Sequence, residues 1–128
     1  MLHQPDIAKL LLRLSLGVLI LFHGIHKVIY GVSGVEAMLR SSGFPEFLAY
    51  GVYIGELIAP IFIILGLYAR VASAVLAFNM FMAILLAYGF SISTSKYGGL
   101  SFETPLLYLI MSILVILLGS GKYAVNSK

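Results

Sequence analysis

Four apolar stretches, each long enough to cross a bilayer, constrain this chain more than any other feature. They run over about 7–29, 47–67, 70–90 and 102–119, and a spanning helix needs roughly 20 mostly apolar residues. Between them lie "SSGFPEF", "GLYAR" and "STSKYGG", which are turn-forming or polar. In hydrocarbon every backbone N–H and C=O must be paired within its own segment, so the stretches read as helices. Of the 128 residues 61% are hydrophobic and 10% charged, whereas a soluble domain carries about 25% charged residues. The expectation is an all-α transmembrane four-helix bundle with the lipid bilayer as its solvent. Residues 1–128 then form a single transmembrane domain. Lys9 and Arg13 ahead of "LSLGVLILF" imitate a signal peptide, but "HGIHK" stands where the small residues of a cleavage site belong. A retained first span is expected.

Lys and Arg set the orientation of such a bundle. One side holds Lys9, Arg13, Arg70, Lys122 and Lys128, and the other holds Lys27, Arg40 and Lys96. Five against three places both termini in the cytoplasm. The net charge of +3 is too small and dispersed for nucleic acid. With no cysteine, disulfides, thiolate metal sites and thiol redox chemistry are excluded. In the first loop, Val35, Met38 and Leu39 share a helical face, which suits a short interfacial helix or a plain loop.

The polar residues inside the spans carry the functional reading. His23, His26, Lys27 and Tyr30 are spaced i, i+3, i+4, i+7, one face of the first helix. Glu56 lies about halfway along the second span, where an acid costs on the order of 2.5–3.5 kcal/mol on insertion scales. Asn79 sits near the middle of the third span, and Glu103 opens the fourth. Lipid solvates none of these groups, so they should face inward and meet. Pro60 lacks an N–H and clashes with the carbonyl four residues back, which is that of Glu56. A freed carbonyl and a carboxyl at one level are the makings of a polar pocket. Five residues are therefore expected to bind a ligand: His23, Lys27, Glu56, Asn79 and Glu103. His23 and Glu56 should come within hydrogen-bonding reach, directly or through one water.

Plainer roles exist for each. Lys27 can snorkel to the headgroups, His26 suits the interface, and Asn79 suits an interhelical hydrogen bond. Arg13 and Arg70 read as cytoplasmic anchors. Glu56 is hardest to assign a passive role, because a buried carboxylate needs a partner. No His pair with a neighbouring acid has metal-ligand spacing, so no metal is expected. "GSGKY" lacks the first glycine and the preceding strand of a phosphate loop and reads as a helix stop.

"RLSLGVLILFHGIHKV", "GFPEFLAYGVYIGELIAPIFIILGLYARVAS" and "FETPLLYLIMSILVILLGSGKYAVN" together resemble the DoxX family of small bacterial membrane proteins over nearly the whole chain. Glu56, Arg70 and Glu103 stand at marked positions. The resemblance implies a four-helix bundle distantly similar in architecture to the vitamin K epoxide reductase group. It also implies membrane oxidoreductase complexes, some members being similar in name to a subunit of a thiosulfate:quinone oxidoreductase. Vitamin K epoxide reductases work through cysteines, which this chain lacks. The reading is a protein that binds a small lipophile, a quinone being the candidate, within a membrane oxidoreductase system. The alternatives are a non-catalytic subunit docking a redox enzyme and a small proton-coupled transporter in which Glu56 takes the proton. A homodimer is compatible with a bundle this small.

Overall fold

The computed structural model describes residues 4–88 and 98–125, Tyr88 by its backbone alone. All regular structure among them is helical. The helices are α1 (Pro5–Tyr30), α2 (Ser33–Ser41), α3 (Glu46–Leu65), α4 (Ala69–Tyr88) and α5 (Glu103–Leu118). α1, α3 and α4 are long and apolar enough to cross a membrane. α5 is apolar with 16 residues, about 24 Å of helix.

Local chemistry explains the ends. α1 starts on Pro5, whose missing N–H costs nothing in a first turn. Asp6 then lies at the positive end of the helix dipole and Lys27 at the negative end. Gly31, at φ 83°, lets the chain leave α1 in a conformation that side chains resist. α3 is irregular. A 3₁₀ turn over Glu46–Tyr50 passes through Gly51–Tyr53 into a π turn over Ile54–Ile58, and α-helix resumes at Ala59–Leu65. The Ala59 N–H reaches back five residues to the carbonyl of Ile54. Pro60 cannot continue the ordinary ladder, and the wider π turn accommodates the gap.

The four long helices form a ring in which α1 packs on α3, α3 on α4, α4 on α5 and α5 on α1. Two glycines set the α1–α3 approach. A Cβ on Gly17 would lie 3.0 Å from the carbonyl oxygen of Pro60, and one on Gly24 only 2.0 Å from that of Glu56. Ser73 of α4 and Ser112 of α5 are both fully buried. Ser112 donates to the Tyr108 carbonyl at 2.7 Å. Leu16, Ile20, Ile63, Leu76 and Val115 form the central core. Phe22, Val71, Phe78 and Leu117 point outward, which is the satisfied state for an apolar side chain in lipid.

The two ends close differently. At the α2 end, Val32, Leu39 and Ala49 are buried together, with Val35, Tyr53 and Leu86 packed on them. The first loop is thus a helix lying across the bundle, and Arg40 pairs with Glu46 at 2.6 Å on its exposed side. At the other end the tail after α5 folds back over the helices. Arg13 is not the interfacial anchor that its position suggests, because its exposure is 0%. Its guanidinium donates to the carbonyls of Ile63 (3.0 Å), Ile64 (3.1 Å) and Tyr123. The last carbonyls of α3 have no partner within their helix, and Arg13 supplies one from outside. Val125 N–H donates to Leu65 at 2.9 Å, and Lys122 N–H to the Asp6 carboxylate at 3.2 Å. Arg70 is exposed, its guanidinium lying over Gly119.

Candidate functional site

Glu56 sits inside the π turn of α3 with 4% of its surface exposed. The sequence expectation that a buried acid must find a partner is met by Lys27, whose ammonium donates to the Glu56 carboxylate. Lys27 reaches across from the last turn of α1. Tyr53, one turn before Glu56, donates its hydroxyl to the Lys27 carbonyl at 3.3 Å. Side chain and backbone of Lys27 are therefore both tied to α3. The Glu56 carbonyl points at Gly24, where any side chain would occupy its space. The pair and the glycine make one joint: α1 comes close enough to α3 for the lysine to reach because position 24 has no Cβ.

A cavity of about 250 Å³ opens in front of this joint. His23, Lys27 and Glu56 line it on one side, Met80 and Tyr108 on the other, and Met38 of α2 covers it. His23 and Tyr108 meet edge to face with ring centroids 5.8 Å apart. The cavity offers an ammonium paired with a carboxylate, an imidazole, a phenol and the Thr104 hydroxyl as polar groups against an otherwise apolar wall, the usual make-up of a small-molecule site. A larger recess of about 340 Å³, bounded by Ile54, Ile58, Phe62, Val71 and Val75, lies on the outward face of α3 and α4. Its lining has no charged group, and acyl chains suffice to fill it.

Three of the five expected residues, His23, Lys27 and Glu56, thus line one cavity. His23 shares it with Glu56, but the direct partner of the carboxylate is Lys27. The ammonium comes from the end of α1, one turn nearer the surface, where a long flexible stem can bend back to the acid. Asn79 packs against Gly55, where a Cβ would come within 2.8 Å of its side chain. It therefore abuts the π turn from α4 rather than lining the cavity. Glu103 is exposed in the first turn of α5 and folds over Gly99, a Cβ there falling 2.6 Å from its carboxylate. Its neighbours Thr104 and Pro105 reach the lining instead. His26 stacks on Tyr30 with centroids 4.5 Å apart, away from the cavity. Sequence reasoning missed Gly24 and Tyr108. A lone glycine within an apolar helix was the available signal for the first, since it costs about 1 kcal/mol and wants a packing reason. Tyr108 had none, as tyrosine is common in membrane helices. No group of three or more His, Cys, Asp or Glu residues that could hold a metal occurs among the described residues.

Comparison with known proteins bears on this arrangement. The family model described as DoxX matches residues 8–89, a stretch containing most of α1, all of α2, α3 and α4, and the Lys27–Glu56 joint. A Bacillus subtilis (strain 168) protein named "Putative oxidoreductase CatD" is 30% identical over 121 residues, covering 94% of this chain and 86% of that protein. No solved structure matches.

Proposed function

The chain belongs to the DoxX family of membrane proteins, and we propose that it binds a small lipophilic molecule in the cavity at Lys27 and Glu56. The observation that carries this reading is a charged pair buried in the helix bundle beside a cavity with room for a ring. A structural pair has no need of such space. A quinone suits the lining, because its two carbonyl acceptors can be met by donors from Lys27, His23 and Tyr108. When bound, it would supply electron-carrying chemistry that the cysteine-free chain lacks. His23 orients a carbonyl or passes a proton, Lys27 donates to the ligand, and Glu56 holds Lys27 in place. Asn79 supports the π turn, and Glu103 stands near the cavity's rim.

The relative named as an oxidoreductase supports a role within a membrane oxidoreductase system, in which a partner enzyme exchanges electrons with the ligand. The membrane is the bacterial inner membrane with both termini cytoplasmic, from the excess of Lys and Arg on the tail end. The cavity then lies in the outer half. A reporter fused to the C-terminus should give a cytoplasmic signal, and a periplasmic one would move the cavity to the inner half. The dry core between the cavity and the Arg13 closure weighs against passage through the bundle, and so against the transporter reading. Mass spectrometry of the purified protein tests the binding. A retained lipophile is expected in the parent chain and its loss in Glu56→Gln. Equal retention in both would remove Glu56 from the site.

A further inference from the structure

Three residues of the cavity lining are exposed: Ala87 at the end of α4, and His23 on α1 and Thr104 on α5, which flank the α1–α5 side. Above, α2 covers the cavity with Met38, held down by buried Leu39 and Val32. Below lies the core of Leu16, Ile20 and Leu76, and behind stands the joint of Gly24 and Glu56. The side between α1 and α5 is different. Leu19, one turn before His23 on the same face, is 46% exposed, and Leu107, beside Tyr108, is 57% exposed. Side chains of that kind face hydrocarbon in a membrane bundle, so the rim of the mouth is wetted by lipid rather than water. His23 and Tyr108 stand in this opening with their rings in contact.

We propose that the cavity is filled sideways from the bilayer, through a window between α1 and α5, by the uncharged ring of an amphiphile whose tail stays in lipid. The size argument is simple. A cavity of about 150 Å³ holds benzene, so one of about 250 Å³ holds a single substituted ring and no long chain. The charge argument is as direct. Lys27 and Glu56 neutralise each other, so a charged ring would bring an uncompensated charge into the membrane. The tail has its own place along Leu19 and Leu107. The nature of the occupant rests on the binding reading above, but the direction of access does not.

The absence of cysteine allows the window to be tested on the full chain in nanodiscs. A single thiol is placed by Ala83→Cys, on the cavity wall in α4, with Phe22→Cys on the lipid-facing surface as the reference. N-pyrenylmaleimide is the lipid-dissolved reagent and a sulfonated maleimide the aqueous one. The expected result is that Ala83→Cys reacts with the pyrenyl reagent within about tenfold of the reference. Its reaction with the sulfonated reagent, relative to a detergent-unfolded sample, should be slower by at least about tenfold, since a sulfonate does not enter hydrocarbon. Adding Leu19→Trp should suppress the pyrenyl reaction, while Leu11→Trp, exposed near the tail end, should not. Rapid labelling by the sulfonated reagent would show a mouth open to water and overturn the proposal. A cavity thiol inert to both reagents while the Phe22→Cys thiol reacts would overturn it too. Decylubiquinone and its tail-free parent quinone then probe the occupant by displacing the pyrenyl reaction. Protection by the decyl compound at lower membrane concentration supports the tail-out mode, and equal protection rejects it. If neither protects while the labelling pattern holds, the window stands and the quinone-like occupant fails.

Discussion

The two ends of this bundle each draw a basic side chain inward, wholly at Arg13 and partly at Lys27, and they treat it in opposite ways. At the tail end Arg13 is held by three backbone carbonyls and no acid. Its Nε is buried without a partner among the described residues. Around it the chain is packed, with the tail laid over the helix ends. At the α2 end Lys27 is held by one carboxylate beside a cavity, and its side chain keeps 27% of its exposure. Carbonyls of a helix C-terminus are fixed in number and direction and cannot change charge. A carboxylate on a π turn can exchange partners, and the lysine can turn toward another acceptor. The first arrangement joins parts of the chain permanently, whereas the second leaves an ammonium available to a ligand.

Removing the two cations should separate these roles. Arg13→Leu removes donors from the carbonyls of Ile63, Ile64 and Tyr123 at once. Charge-assisted hydrogen bonds are individually worth about 1.5–3 kcal/mol, so thermal unfolding in detergent should show the largest loss of any single change, about 3 kcal/mol or more. Retained lipophile per folded molecule should be unaltered. Arg13→Lys should not restore stability, because an ammonium lacks the planar fork that reaches several carbonyls.

Glu56→Gln should cost less stability than Arg13→Leu. Glutamine keeps an acceptor for Lys27, whose partial exposure lets it swing toward the surface. The expected loss lies between about 1 kcal/mol for an exposed pair and about 3 kcal/mol for a buried one. Ligand retention should fall well beyond that loss. A double-mutant cycle with Lys27→Met should show coupling in unfolding free energy, since the two side chains touch. Additive effects would mean that the pair is not formed in the membrane.

Gly24→Ala sharpens the comparison from the backbone side. Its methyl group would fall 2.0 Å from the Glu56 carbonyl oxygen, so α1 must move away from α3 at a cost of about 1–3 kcal/mol. The same substitution at Gly34 in α2 meets nothing within 4 Å. It should be neutral or stabilise by up to about 1 kcal/mol. Equal effects at both positions would remove the joint from the account. The smallest destabilisation belongs to Arg40→Ala. The exposed Arg40–Glu46 pair is worth about 0.2–1 kcal/mol and should fade with added salt, as unfolding at two ionic strengths would record.

Much of the fold was legible in the residues. Apolar runs of bilayer length imply helices, since lipid offers the backbone no other partner, and Gly31, Gly66 and Gly119 stop the runs where the chain turns. Of the site, His23, Lys27 and Glu56 were legible because polarity inside such a run has a cost that needs a reason. Asn79 and Glu103 were drawn in by the same logic and stand beside the cavity rather than on its wall. A residue's depth follows from its number, but its direction also depends on how its helix is rotated. Arg13 shows the same limit, since its distance from the helix end suits a surface anchor and a buried cap equally.

By itself the sequence determined that this chain spans a membrane as helices and that its second span buries an acid. Those conclusions follow from transfer free energy, which depends on composition within a segment. Only the tertiary structure decided which partner that acid takes, that Pro60 resolves into a π turn rather than a plain kink, and that a tyrosine from α5 lines the cavity opposite. These depend on a close approach between α1 and α3 that the absent side chain of Gly24 permits. Contact between helices is set by shape at the crossing, and no one-dimensional pattern records which glycine will face which carbonyl.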